Sequence, residues 1–474
     1  MPRNEADEKR ELIHGAMAGR ISRRDFVTRA LVLGFSASGI AAVLAACGGG
    51  GGAKPAPTAA QVGDVGAPAA GVTPTAPAFV SKGTKGNINV VLWADNNDTY
   101  KKIIQKFTEE TGIGITYEVA PADYLTWQQL MTTRFASGDT STDAFHGDDF
   151  QAAIYGAADW LEPLGPILDE AKIDLDEWPK TLIEDVSSWK GELYRLPWAG
   201  EAELFFYRKD YFKEAGVKPP EDWDDLLDIS KKLTQGSKRY AIALNGQKNG
   251  VLGNDIQKWT NQAGGAINDL DNDGARKALT FYKDLYATHK VAPASTPQDD
   301  YGSNLQGFLA NKFAMWWVWD GLYGGIIQDK DFDKTQIDAF VPPKGPENAQ
   351  TTAACWGWAM NKASTKKDLT RKWIQFIARE DVMKMLITAG RAPARVSLLG
   401  DDEVRRLAPQ AVYLEPIFKD ENLSKARPVT PSIQKVYDAA EQNIHGYLTN
   451  QVDLDTAIKR AMDKIQPIVE KEKQ

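Results

Sequence analysis

Cysteine and histidine are scarce in this 474-residue chain, with two and four copies respectively. So few of them, spread along the sequence, exclude a scaffold held by several disulfides and a zinc centre of the usual Cys/His type. A basic block is also missing, and the formal net charge is −8. The charge pattern therefore gives no support to a nucleic-acid partner.

Long apolar runs are equally rare, and the clearest one covers the 17 residues 30–46. It is short for a membrane-spanning helix and contains glycines and serines. The run follows residues 22–27 (SRRDFV), which resemble a twin-arginine export motif, and it ends in residues 44–47 (LAAC), which resemble a bacterial lipobox. We therefore predict that residues 1–46 are a signal peptide and that Cys47 becomes the lipid-modified first residue. A plain signal peptide or a short N-terminal anchor is the alternative.

The segment after Cys47 has almost no charge. Residues 48–52 are all glycine, and residues 53–78 are rich in alanine, proline, threonine and glycine. Such a composition does not bury a core and forms a flexible or extended spacer. We predict a linker over residues 47–85 that ties a folded body to the outer face of the cell membrane. Cys355 is then the one remaining thiol, so no intramolecular disulfide is available.

What the chain has in abundance is tryptophan, with 14 copies, the first of them Trp93. The overall content is 43% apolar and 25% charged, which is typical of a folded protein of two or three units. The number of tryptophans exceeds what core packing alone would need.

From Gly86 onward, strand and helix patterns alternate. Residues 87–93 form an apolar strand, and a helical stripe ended by Gly112 follows a possible cap at Asp98. This alternation predicts an α/β fold with parallel strands. Further strands are expected near residues 113–119, 143–146, 193–207, 240–244, 313–319 and 353–360, and helices near residues 124–138, 223–233, 278–286 and 369–377, with two closing helices around 433–444 and 457–465.

A series of short landmarks occurs in a specific order. They are residues 107–112 (FTEETG), 146–149 (HGDD), 160–164 (WLEPL), 196–198 (LPW), 206–210 (FYRKD), 356–358 (WGW) and 390–395 (GRAPAR). From Gly86 to its end, the chain resembles family 1 extracellular solute-binding proteins, the maltose-binding-protein-like sugar receptors of bacterial ABC importers.

This resemblance implies a type II periplasmic-binding-protein-like fold, in which two α/β lobes are joined by crossover strands. Lobe one would comprise residues 86–199 and 361–425, and lobe two residues 200–360 and 426–474. Crossovers are expected near residues 198–204 and 354–360. The lobes would close on the ligand by a hinge motion.

The resemblance also implies a function, namely capture of a sugar or oligosaccharide and its delivery to the membrane permease. It implies no catalysis, no cofactor, no metal and no nucleic acid, and it favours a monomer. One alternative is the same receptor role for a quaternary amine or a glycerol phosphate. A second is a secreted glycoside hydrolase that uses paired carboxylates.

A sugar presents hydroxyls at its rim and an apolar C–H face, so its site needs carboxylates or amides together with flat aromatic rings. These groups should lie beyond the carboxyl ends of strands. Helix capping competes as the role of the early polar residues, and core packing competes as the role of the aromatic ones. With the family positions, this chemistry predicts ligand contacts from Asn97, Asp98, Asp148, Glu201, Asp320 and Arg391, and from Trp198, Trp259, Tyr323, Trp356, Trp358 and Tyr437.

Residues 269–274 (DLDNDG) look like the start of a calcium loop. Position 12 of such a loop would be Thr280, which lacks the bidentate carboxylate that calcium loops use there. We therefore expect a polar turn that precedes a helix.

Overall fold

The computed structural model describes residues 85–93, 98–120 and 124–472. The predicted signal peptide, Cys47, nearly all of the linker and Asn97 lie outside this part of the chain. None of the described helices combines the length and the apolar character that crossing a membrane requires.

The described strands are short except for two. They are β1 Asn87–Leu92, β2 Gly114–Val119, β3 Ala144–Gly147, β4 Ser188–Trp189, β5 Glu192–Leu193, β6 Arg195–Arg208, β7 Tyr240–Ala243, β8 Phe313–Trp319, β9 Ile337–Phe340, β10 Thr351–Met360 and β11 Ser424–Lys425.

Helices fill most of the segments between the strands. They are α1 Thr99–Thr111, α2 Tyr124–Ala136, α3 Phe150–Ala157, α4 Gly165–Glu170, α5 Lys209–Ala215, α6 Trp223–Leu233, α7 Val251–Gln262, α8 Asp273–Ala287, α9 Tyr301–Leu309, α10 Tyr323–Gln328, α11 Lys367–Ile377, α12 Glu380–Met383, α13 Val396–Leu399, α14 Asp402–Leu407, α15 Ala411–Lys419, α16 Ile433–Leu448 and α17 Leu454–Glu472. Short 3₁₀ segments and one π-helical turn over Thr181–Val186 add to these.

Seven strands of the described sheet follow the order β2-β1-β3-β10-β6-β8-β7, with β11 beside β10 and β9 beside β6. β1 is parallel to β2 and β3, and β7 is parallel to β8. These pairs confirm the predicted parallel α/β pattern at both ends of the sheet. The middle differs, because β10 runs antiparallel to β3 and to β6, and β6 runs antiparallel to β8.

The two long strands β6 and β10 join the ends of the sheet. The first half of β6 pairs with β10, with Arg195 opposite Ala359 and Ala202 opposite Ala353. The second half of β6 pairs with β8, while the last residues of β10 pair with β3. Each strand therefore belongs to both halves of the sheet.

The ladder between β6 and β10 contains one irregularity, a register shift between Trp356 and Gly357. A Cβ at Gly357 would lie 2.6 Å from the Leu196 carbonyl oxygen and 3.1 Å from Arg195 Nη2. Only glycine allows this close approach of the two backbones.

Three hydrophobic clusters hold the layers together. The largest surrounds α1 and α11 and continues along the crossing strands to Trp316. The second lies among α6, α7, α8, α16 and α17, and the smallest contains Trp93, Trp127 and Phe135. Burial of these apolar surfaces is the main source of stability of the fold.

Two local predictions about helix ends can be compared with the structure. Gly112 ends α1 in a left-handed conformation, with φ 71°, and its N–H donates to Thr108 O. Asp98 occupies the N-cap position, but its carboxylate makes no capping bond and pairs instead with Lys101 at 2.6 Å.

The stretch that resembles a calcium loop is a turn that precedes a helix. Asn272 caps α8 there by accepting from the Ala275 N–H at 2.8 Å.

Candidate functional site

The connection from β3 to α3 begins with two acidic residues. Asp149 is buried and accepts from Arg427 with both carboxylate oxygens, one of them from Nε at 3.0 Å. Asp148 Oδ2 lies 4.0 Å from Arg427 Nη2. Burial opposes the charge on Arg427, but the carboxylate of Asp149 outweighs it and raises the pKa of Arg427 well above its usual value. The guanidinium therefore stays charged and fixed at the β3–α3 connection.

From Arg427 a polar network extends to α7 and its neighbours. Arg427 Nη1 and the Tyr437 hydroxyl both donate to Asn254 Oδ1 at 3.3 Å. Asn254 Nδ2 and the Trp319 indole N–H both donate to the Tyr301 hydroxyl at 3.1 Å. The network thus links the start of α3 to α7, α9, α16 and the end of β8.

A second polar group lies on the crossing strand β6. Arg391 Nη1 donates to Glu201 Oε1 at 3.0 Å, and both side chains are mostly buried. The guanidinium carbon of Arg391 lies 5.8 Å from the centre of the Trp356 ring, within the range of a cation–π contact. The charges of Arg427 and Asp149 also influence the pKa of Glu201. The polar network around Arg427 and the Glu201–Arg391 pair therefore belong to one site.

Glu201 shares its surroundings with Asp320, a buried acid whose Oδ1 accepts from the Ala202 N–H at 2.9 Å. Burial raises the pKa of Glu201, and the charge of Arg391 lowers it. Burial and the charge of Glu201 raise the pKa of Asp320 well above its usual value. The charged form of Asp320 is thus disfavoured beside Glu201.

Three indoles form a wall beside these acids. The Trp93 ring lies 5.2 Å from the Trp356 ring and 5.8 Å from the Trp127 ring, while Trp127 and Trp356 are 6.4 Å apart. Trp93 and Trp127 are buried, and Trp356 is half-buried. Trp356 is therefore the indole that offers a face beside Glu201 and Arg391.

Six of the predicted residues come together in this site. They are Asp148, Glu201, Asp320, Trp356, Arg391 and Tyr437. Their positions are compatible with the predicted ligand contacts, which stay predictions.

Three of the predicted tryptophans are buried among core residues, which favours core packing, the competing role, over ligand stacking for them. Trp198 is fully buried, lies parallel to Tyr100 at 5.5 Å and donates to Ile377 O at 3.1 Å. Trp259 packs edge-on against Trp223 and Trp317, each at 5.0 Å. Trp358, also buried, packs edge-on against Trp373 at 5.1 Å. Strand alternation predicts Trp356 and Trp358 on one face; a register shift lies between them, and Trp356 is half-buried while Trp358 is buried.

Two other predicted residues point elsewhere. The Asp98 carboxylate is exposed and paired with Lys101. The Tyr323 ring lies parallel to Phe206 at 5.4 Å, and the charge that acts on it is that of Asp338. Asn97 lies outside the described residues.

Sequence reasoning missed Arg427, and the predicted contacts do not include Asn254. Arg427 follows a strand of only two residues, and no periodic pattern marks it. The two acids after β3 were a usable signal, because a buried carboxylate pair requires a cation. Among the described residues, no three His, Cys, Asp or Glu side chains are arranged to hold a metal ion.

Curated relatives match most of the chain. An erythritol/L-threitol-binding protein of Mycolicibacterium smegmatis is 28% identical over 67% of this chain and 72% of its own length. A mannitol-binding protein of Pseudomonas aeruginosa is 25% identical over 78% of this chain and 90% of its own length.

Among solved structures, the maltose-bound MalE3 protein of T. maritima superposes with a TM-score of 0.71 at 24% identity. The match covers 81% of this chain and all of that one, and it confirms the predicted two-lobed α/β fold. The sequence model described as bacterial extracellular solute-binding protein matches residues 93–384, more than half of the chain. The chain therefore belongs to the family of bacterial extracellular solute-binding proteins, as the resemblance predicted.

Proposed function

We propose that this protein is the receptor of an ABC importer and that it captures a small, uncharged, polyhydroxylated solute, a sugar or a sugar alcohol. The observation that carries the proposal is the half-buried face of Trp356, bordered by Glu201 and Arg391 and close to Asp320. An indole face suits the C–H surface of such a solute, and the carboxyl groups suit its hydroxyls.

The charges of the site favour an uncharged ligand. Arg391 is paired with Glu201, and Arg427 is paired with Asp149. The positive charge that a glycerol phosphate would require is thus already balanced by carboxylates. A glycerol phosphate is therefore the weaker alternative.

The aromatic wall argues against a quaternary amine. An aromatic cage needs several open ring faces directed at one point. Here Trp93 and Trp127 are buried against each other and against Trp356. One half-buried indole is a stacking platform rather than a cage.

The names of the relatives point toward small sugar alcohols within this class. The M. smegmatis relative is named for erythritol and L-threitol, and the P. aeruginosa relative for mannitol. We extend that ligand class to this chain as part of the proposal.

We further propose the arrangement outside the site. Cys47 would carry the lipid anchor at the outer face of the membrane, and residues 47–85 would be the spacer. The two lobes, with the boundaries predicted from the sequence, would close on the ligand as a monomer and deliver it to the permease. No catalysis is proposed, because the family whose sequence model matches this chain is one of solute-binding proteins.

A thermal-shift panel on the purified protein tests the proposal. Erythritol, ribitol, D-mannitol and maltose would be compared with glycerol 3-phosphate and glycine betaine. A ligand that binds only the folded state stabilises it by about 2.7 kcal/mol at a concentration of one hundred times Kd. We expect the melting temperature to rise with at least one of the first four. No rise with these four, together with a rise for betaine or glycerol 3-phosphate, would replace the proposed ligand class.

A further inference from the structure

The segment from the end of β3 to the first turn of α3 carries two buried polar side chains that the site described above does not use. His146 is fully buried, and neither of its ring nitrogens has a hydrogen-bond partner among the described residues. Gln151 is also fully buried, and both atoms of its amide group lack a partner in the same part of the chain. Two such groups five residues apart are unusual, because folded proteins pair nearly all buried polar atoms.

His146 lies at the boundary between the core and the candidate site. Its ring is 5.5 Å from Trp198 and 5.4 Å from Trp358, which are both core residues. It is also 5.5 Å from Trp356, the half-buried indole of the wall. The imidazole therefore contacts the half-buried indole of the wall as well as two indoles of the core.

Gln151 lies near Trp127, another indole of the wall. Its Oε1 is only 2.4 Å from the position that a Cβ would take at Gly147. The ring atom Cη2 of Trp127 is 3.2 Å from the same point. Glycine at position 147 thus leaves open the space that the amide oxygen of Gln151 and the Trp127 ring both border, and the Trp127 and Trp356 rings are 6.4 Å apart.

We propose that His146 and Gln151 form a subsite that binds hydroxyl groups of the ligand beside the Trp93–Trp127–Trp356 wall. The inference rests on the proposed function and extends it to two residues and a bonding pattern. A neutral imidazole has one donor and one acceptor, and a primary amide has both kinds of atom. A hydroxyl group also donates and accepts, so adjacent hydroxyls of a sugar alcohol or sugar match both side chains.

The electrostatics of His146 agree with this role. Burial, together with the charges of Arg391 and Arg195, holds the pKa of His146 well below its usual range. The imidazole is therefore neutral at pH 7 and keeps one nitrogen as an acceptor. A trimethylammonium group has no donor or acceptor and would leave all four polar atoms unpaired.

Calorimetric titration of four probes, erythritol, ribitol, D-mannitol and maltose, into the wild-type protein and variants tests the subsite. Gln151→Leu and His146→Phe remove the polar atoms and keep the approximate size of each side chain. For the probe that wild type binds, each variant should lose about tenfold or more in affinity. The melting temperature without ligand should stay the same or rise, because a buried unpaired group has been removed.

A matched control separates ligand binding from general effects on the core. Ser230 on α6 also carries a buried hydroxyl without a hydrogen-bond partner among the described residues. Ser230→Ala should leave affinity within about twofold of wild type. If a variant at position 151 folds poorly, Gln151→Met supplies the same test with an unbranched side chain.

The possible results separate the subsite from the proposed function. Wild-type binding with unchanged affinity in both variants would overturn the subsite and leave the receptor role standing. A loss of affinity that always accompanies an equal loss of melting temperature would assign both residues to holding the β3–α3 backbone, which also overturns it. If wild type binds none of the four probes, the proposed function fails and the subsite fails with it.

Discussion

Arg391 Nη1 donates to Glu201 Oε1 at 3.0 Å, and this ion pair ties the loop after Gly390 to the crossing strand β6. The pair is mostly shielded from water, and its guanidinium group also borders the Trp356 ring. A ligand on Trp356 would therefore meet an arginine and a carboxylate whose positions depend on each other.

Removing either member of this pair should weaken ligand binding. We expect Glu201→Gln and Arg391→Met each to reduce affinity about tenfold or more, because each leaves its partly buried partner uncompensated. The double variant should show a coupling of about 0.5–3 kcal/mol in a thermodynamic cycle measured by titration. Arg276→Met, which removes the exposed pair with Asp271 and Asp455, should leave affinity unchanged. Additive losses in the cycle would contradict the coupling.

Arg427 should matter for stability as well as for the site. It is buried, pairs with both oxygens of Asp149 and reaches Asn254. Arg427→Met would leave the buried Asp149 carboxylate without its cation and should reduce the free energy of unfolding by about 3–5 kcal/mol. Urea denaturation measures this loss. Lys459→Met breaks an exposed pair with Asp463 and should change it by less than about 1 kcal/mol; an equal effect of the two substitutions would refute the assignment.

The tryptophans should divide into two groups by their response to substitution. Trp198→Phe opens space in the core and removes the bond to Ile377 O, so it should cost about 2–4 kcal/mol of stability and spare affinity. Trp356→Ala should do the reverse, with a large loss of affinity and a smaller loss of stability. Paired urea and ligand titrations check both. If Trp198→Phe binds the ligand more weakly while the variant is still folded, Trp198 has a role in ligand binding and the division into two groups is wrong.

The stability of the protein should depend on the ionisation of Glu441. Burial raises its pKa from 4.5 to about 7, although its oxygens accept from the Gly253 and Gly250 N–H groups at 2.6 Å and 3.1 Å. Between pH 4.5 and 7 the folded state holds a proton that the unfolded state has released, so stability falls as pH rises through this window. The loss above the window amounts to about 3 kcal/mol.

Urea denaturation at several pH values isolates this contribution. Glu441→Gln should remove it, so the difference between variant and wild type should grow in favour of the variant from pH 5 to pH 8. Glu470 is an exposed residue on α17. The control variant Glu470→Gln should therefore show the same pH dependence of the free energy of unfolding as wild type. Parallel curves for wild type and Glu441→Gln would show that Glu441 is not responsible for the dependence.

Local sequence patterns predicted much of the fold, because they report periodic burial and backbone conformation directly. The alternation in residues 113–119 and the glycine at position 112 identified β2 and the end of α1. The antiparallel pairing of β6 with β10 depends on contacts between residues more than 150 positions apart, which no local pattern contains.

The candidate site was predictable only in part, for a related physical reason. Alternation tells which face of a strand a side chain occupies, and it does not tell whether that face meets another layer or solvent. Trp356 and Trp358 illustrate this, because they share a face in the pattern and have different surroundings in the structure. Arg427 was missed because its role depends on Asp149, which is distant in sequence.

The register shift between Trp356 and Gly357 has a mechanical consequence. Elsewhere, the two crossing strands are held to each other by a regular ladder, which resists torsion along its length. An irregular step weakens that resistance and increases the local twist. We therefore expect a twist of one half of the sheet against the other to concentrate at the step that carries Trp356. In the proposed function, a ligand stacked on this indole would contact the ladder at its irregular step, so that binding and twisting of the two strands would meet at one residue.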